Sequence, residues 1–210
     1  MRLSIHPPHA EVRISAPLRC SFEKIKKFIL SKIDWIKKHQ IKIRSQKFIA
    51  PKKILDGEIH DFFGEKFLLK IVEKNGAPAV FLKGGIIELH IRKNLNLQKR
   101  RVALDQFYRA ALKKIIPKHI AAWEEKMQLK VAEFGVKKMK TRWGTCNIKA
   151  RRIWLNLSLV QMSIRFLDYI ILHEMTHLLE RKHNKKFFAH LDNFMPNWRE
   201  CEKEMKNMRL

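Results

Sequence analysis

"ILHEMTHLLERKHNKKFF", residues 171–188, places three of the chain's ten histidines within eleven positions. On an α-helix each residue turns about 100° and rises about 1.5 Å. His173 and His177 then stand about 40° and about 6 Å apart, so both imidazoles leave one face and converge. A single Zn²⁺ with Zn–N bonds near 2 Å spans that gap. Glu174 falls about 100° from His173, beside the pair, where its carboxylate can reach a water on the metal without entering the coordination sphere. Such a carboxylate can take the water's proton and hand it to a leaving group. This is the mechanical content of H-E-x-x-H. Ten histidines and fourteen glutamates in 210 residues produce that pattern by chance in about 3% of such compositions, so it carries information.

A third ligand has two candidates. Glu180 lies on the His173 face but about 10 Å further along the axis, too far for one ion on a straight helix. His183 points away from His177 unless the chain breaks between Glu180 and His183 and folds the imidazole back. "ERKHN" contains neither Gly nor Pro to force that break, although Asn184 tolerates left-handed geometry. His190 reads as an exposed helix residue.

Working outward, Ser163 is placed to cap a helix that runs through Phe166, Ile170 and Ile171 into the histidines. Its apolar residues cover more than one stripe, so it is expected to be largely buried. Histidine and glutamate on such a helix need partners, because unpaired buried polar groups are costly, and a metal serves both histidines at once. Upstream, "KVAEFGVKKMKTRWGTCNIKARRIWLNLSLV" reads as two strands around an irregular loop. Ile153, Leu155, Leu157 and Leu159 share one face, and Trp154, Asn156 and Ser158 the other. Arg142, Trp143 and Asn156 are candidate substrate-binding residues. A strand beside the metal can pair with extended peptide, and Arg142 can stabilise an oxyanion or phosphate. Trp143 and Asn156 equally suit packing and loop-fixing roles. Cys146 reads as a small hydrophobe, and Asp168 equally as a hydrogen-bond anchor for a metal ligand or as a helix-surface carboxylate.

From about Leu97 the pattern is long helix, expected to kink or restart at Pro117. Before it, residues 3–16 read as strand around a turn at Pro7-Pro8, Ser21 caps one helix through Ile36, and short strands follow with turns at Asp56-Gly57, Asn75-Gly76 and Gly84-Gly85. The fold class is therefore α+β. We expect a single domain over 1–210, with a β-rich lobe at 1–95 and a helical catalytic lobe at 96–210.

The 45 Lys and Arg against 20 Asp and Glu give a net charge of +25, a field that attracts anions of any kind. The basic runs lack interleaved aromatics, so no stacking platform for single strands stands out. No apolar run reaches the length of a signal peptide or a membrane span. Cys20, Cys146 and Cys201 form neither a disulfide framework nor a CxxC site. A cytoplasmic protein without a membrane partner is expected.

"RWGTC" (142–146), "IWLNLSLV" (153–160), "LDYIILHEMTHLLERKHNKKFF" (167–188) and "PNWRE" (196–200) resemble, in order and spacing, the YgjP-like metallopeptidase family. "VRISAP", "KIDWIKKH" and "LDGE" extend the resemblance over nearly the whole chain. Met175, Phe188 and Leu157 depart from that family's pattern, outside the histidines. The resemblance implies a zincin-like catalytic core, one Zn²⁺ per chain held by His173, His177 and His183, and Glu174 as the base. WLM and SprT-like proteases, which act on proteins attached to DNA, share the H-E-x-x-H logic. The expected activity is thus zinc-dependent hydrolysis of a peptide bond in a peptide or protein substrate. Two alternatives stay open. One is a metal-dependent nucleotide or phosphoanhydride hydrolase such as a nucleoside triphosphate pyrophosphatase, and the other a basic nucleic-acid-binding module with a structural metal.

Overall fold

The structure is a computed structural model that describes residues 1–6, 9–45, 47–48 and 53–209. The turn expected at Pro7-Pro8 lies outside the described residues. The chain divides into two compact units, Met1–Ile49 with Lys206–Arg209, and Ala50–Met205.

The first unit holds a hairpin of β1 (Arg2–His6) and β2 (Glu11–Ser15). Two helices follow, α1 (Phe22–Leu30) and α2 (Ile33–Arg44), where the sequence suggested one. The apolar periodicity runs through both. However, the Ser31 and Lys32 N–H groups close tight turns on Lys27 and Ile29, and this ends α1 before α2 begins. Gln40 on α2 donates to the Ala10 carbonyl of the hairpin at 3.1 Å, and Ile36 and Ile43 are buried. A short β3 (Lys47–Phe48) pairs in parallel with β11 (Met208–Arg209).

The second unit starts with a four-stranded sheet of β4 (Ile59–Phe62), β5 (Glu65–Glu73), β6 (Ala79–Lys83) and β7 (Ile86–Ile91), in the order β4-β5-β7-β6. Only β5 and β7 run parallel. Alternation buries Leu69, Ile87 and Leu89 completely and turns Lys66, Lys70 and the exposed Ile59 and Leu68 to the other face. Gly57, Gly76, Gly84 and Gly85 take positive φ at the turns, as short connections require.

Helix α3 (Leu97–Met127) supplies the next layer. Leu104, Tyr108, Leu112, Ile116 and Ile120 are buried at four-residue spacing, one continuous stripe. The helix passes through Pro117 without the expected restart. Proline removes the N–H that would bond the Lys113 carbonyl. Both residues lie on the exposed side, where water can take that carbonyl.

The segment read as two strands forms three: β8 (Glu133–Lys137), β9 (Gly144–Asn147) and β10 (Arg152–Asn156), ordered β8-β10-β9. β10 runs parallel to β8 and antiparallel to β9. The alternation expected through Leu159 stops at Asn156, whose side chain accepts from the Ser158 N–H and opens a 3-10 turn over Leu157–Gln161. Leu157 and Leu159 are buried there by the turn rather than by a pleat.

Helix α4 (Ile164–Thr176) then carries the H-E-x-x-H residues, followed by α5 (Lys185–Phe194) and α6 (Trp198–Lys206). Nine residues of α4 are buried, on all sides of the helix. Asp168 ties it to α3 by accepting from His119 Nδ1 and Trp123 Nε1, both at 2.9 Å. The strands concentrate before residue 92 and the long helices after it, which makes the chain α+β with a β-rich N-terminal half. Among the described residues no helix is long and apolar enough to cross a membrane.

Candidate metal centre

Helix α4 ends at Thr176, and His177 sits at its C-terminal cap. Leu178 and Leu179 close tight turns on Met175 and Thr176, after which the chain bends. Asn184 starts α5 by accepting from the Phe187 N–H at 3.1 Å. Its φ of −101° is extended, so the left-handed geometry its sequence permits is not used. The bend between the two helices carries His183 back over α4.

The three histidines consequently meet. His173, His177 and His183 bring one ring nitrogen each within 4.8 Å of one another, and His173 Nε2 stands 3.1 Å from His183 Nε2. Two nitrogens bound to one tetrahedral ion at about 2.0–2.1 Å would stand about 3.3 Å apart. His177 Nδ1 faces the Glu180 carbonyl at 3.3 Å. A carbonyl only accepts, so Nδ1 carries the proton and Nε2 keeps its lone pair. Burial and the two neighbouring imidazoles push His173 down to about 3, and His177 is lowered by burial and by the His183 imidazole. Three imidazole nitrogens converging on one point are a donor set that suits a divalent cation.

Phe187, fully buried on α5, is the platform beneath them. Its ring centroid lies 5.1, 4.8 and 4.6 Å from those of His173, His177 and His183. Sequence reasoning did not single it out. The signal was a phenylalanine four residues beyond His183, just inside the helix that follows it.

Glu174 is only 5% exposed. Burial raises its carboxyl to about 8, against an opposing pull from the Arg142 guanidinium. It packs on the edge strand β9, where Gly144 leaves room for it. A Cβ built on Gly144 would lie 2.6 Å from Glu174 Oε1 and 2.7 Å from its Cγ. Gly144 is thus a second residue that sequence reasoning missed, because its neighbour lies thirty positions away.

Arg142 is exposed and Trp143 half-buried. Asn156 is fully buried and commits its amide to the loop before β9, donating to the Met139 and Arg142 carbonyls at 2.8 and 2.7 Å. Its backbone N–H donates to the Trp143 carbonyl. Glu180 turns away, its carboxylate accepting from the Lys182 N–H. Cys146 is half-buried, and burial with the nearby Glu174 pushes its thiol up to about 11, so it stays a thiol. His190 stacks on Phe194 within α5, apart from the cluster.

Three ring nitrogens that converge beside a buried carboxyl could hold a divalent metal ion. The YgjP-like metallopeptidase domain family matches residues 1–208. The chain belongs to that family and is a metal-dependent peptidase. Two solved structures are similar in part. The metallopeptidase zymogen of Pyrococcus abyssi abylysin is 16% identical with a TM-score of 0.40, over 43% of this chain and 90% of that one. The metallopeptidase zymogen of Methanocaldococcus jannaschii jannalysin is 24% identical with a TM-score of 0.39, over 43% of this chain and 92% of that one. No curated protein matches the sequence.

Proposed function

We propose that the chain is a zinc peptidase of the zincin-like kind, working as one domain in the cytoplasm, with His173, His177 and His183 as ligands and Glu174 as the acid–base residue. The observation that carries the reading is the convergence of three ring nitrogens within 4.8 Å, one helical position from a buried carboxyl. A divalent ion held there supplies Lewis-acid polarisation of the scissile carbonyl and lowers the pKa of a water toward about 7.

The protein's own groups do the rest. Glu174 takes a proton from water as the water oxygen bonds to the carbonyl carbon. It passes that proton to the amide nitrogen as the C–N bond breaks. The edge strand β9, paired only with β10 among the described residues, offers backbone groups to an extended peptide. Arg142, beside Glu174, is placed to touch the substrate. Trp143 and Asn156 hold the loop that carries it.

Glu174→Gln tests the assignment. The variant should bind zinc in a 1:1 ratio by element-specific emission, while peptide turnover falls by about 10²–10⁴-fold. Turnover within a few-fold of the parent would remove Glu174 from the role.

A further inference from the structure

Two basic loop segments flank the cage: "KKMKTR" (137–142), which leaves the last residue of β8, and "RKHNKK" (181–186), which runs into the first residues of α5. The second contains His183 itself. The first ends two residues before Gly144, whose Cα is packed against the Glu174 carboxylate, and buried Asn156 pins its backbone at Met139 and Arg142. Each loop carries four cations and no carboxylate, so eight of these twelve residues are Lys or Arg, against 45 of 210 in the chain. A roughly threefold local excess is more than the general lysine surplus of the sequence provides.

Some of this charge is used internally. Lys137 lies over the Trp154 ring, Lys138 pairs with Asp105, and Lys186 acts on Glu180. Lys140, Arg181, Lys182 and Lys185 are exposed, and among the described residues no carboxylate pairs with their side chains. Cations concentrated beside a site raise the local concentration of anionic ligand and speed its capture.

We propose that this rim selects acidic polypeptide, so that segments rich in Asp and Glu around the scissile bond are the preferred substrate class. The inference rests on the peptidase reading and adds the charge of the substrate to it. Polypeptide is favoured over nucleic acid by two features. The edge strand β9 beside Glu174 can pair with an extended main chain, and neither loop carries a Phe, Tyr or Trp on which bases could stack.

The test uses the full-length zinc-loaded protein and two internally quenched peptides with the same scissile segment, one flanked by Glu and one by Gln. The Glu peptide should show kcat/KM higher by about tenfold at low salt, the advantage shrinking as NaCl shortens the reach of the rim charges. Replacing Lys140, Lys182 and Lys185 together by Gln should bring the Glu/Gln ratio toward one. Binding to metal-free Glu174→Gln protein, followed by fluorescence anisotropy, should show the same preference without any turnover. Equal cleavage and equal binding of the two peptides overturn the rim while leaving the peptidase reading intact. Preferred binding of the Glu peptide with neither peptide cleaved supports the rim and counts against the peptidase reading. An oligonucleotide that binds where the Glu peptide does not would overturn the proposal in favour of a nucleic-acid surface.

Discussion

Replacing Gly144 by Ala should separate the positioning of Glu174 from metal binding. The added Cβ would lie 2.6, 2.7 and 2.9 Å from Oε1, Cγ and Cδ of Glu174. Ordinary contacts of this kind begin near 3.4 Å, so something must give by about 0.5–0.8 Å. The backbone of Glu174 belongs to a helix buried on all sides, so the yielding part is the carboxylate or the strand. Overpacking on this scale costs about 1–3 kcal/mol, or a few degrees in Tm for a chain of this length. A carboxylate displaced by nearly 1 Å from its working position loses about 10² in rate. The expected result is therefore a fall in kcat of about that size, with KM little changed and zinc still bound 1:1. Steady-state kinetics on one peptide, element-specific emission and a thermal melt cover the three readouts. If Gly144→Ala keeps kcat within about threefold while the melt shows the strain, then β9 has moved instead, and the glycine does not position the base.

Three further outcomes follow from the same geometry. In metal-free protein Glu174 is raised from 4.5 to about 8, so the folded state holds the extra proton across that window and stability falls as pH rises through it. His173, lowered from 6.5 to about 3, acts in the opposite sense, with stability rising as pH rises from 3 to 6.5. His177, also lowered, adds to the rise below pH 6.5, and above that pH the Glu174 contribution predicts a decline toward pH 8. Melts of Glu174→Gln should lack the alkaline decline, and an unaltered decline would refute the assignment. Asn156→Ala removes the clamp on Met139 and Arg142 and leaves two carbonyls short of a donor. A loss of about 1–3 kcal/mol in denaturant unfolding is expected, and a neutral result would mean that water replaces the amide. Asn184→Ala deletes the cap that opens α5, which should cost about 1 kcal/mol and weaken zinc affinity in a chelator competition, because the bend that delivers His183 loosens.

The parts of this structure that were legible in the sequence are those governed by local period. Helical spacing placed His173 and His177 together, and the turn dipeptides Asp56-Gly57, Asn75-Gly76 and Gly84-Gly85 marked out the short strands of β4 to β7. The misreadings share a different cause. Leu157 and Leu159 continue a strand-like alternation, yet Asn156 ends the strand by bonding the Ser158 N–H, a choice made by its buried contacts with the loop at 139–142. Pro117 reads as a breaker, but it breaks nothing because the carbonyl it strands faces water. Gly144 carries no local signal at all, since the group that needs its missing side chain comes from a helix thirty residues later.

The bend at 180–184 shows how a local gap in the sequence is closed by tertiary structure. No residue in "ERKHN" compels the chain to turn, which left Glu180 and His183 as rivals on helical geometry alone. The turn is set from both sides. On one side Thr176 Oγ1 donates to the Leu172 carbonyl and His177 Nδ1 to that of Glu180, finishing α4. On the other, Asn184 caps a new helix whose first turn buries Phe187 beneath all three imidazoles. A longer α4 would carry His183 away from the pair and unseat Phe187, exposing a large ring to water at a cost of about 2–3 kcal/mol. The third imidazole is therefore held by the packing of a phenylalanine four residues further on, and the cage forms where the core closes.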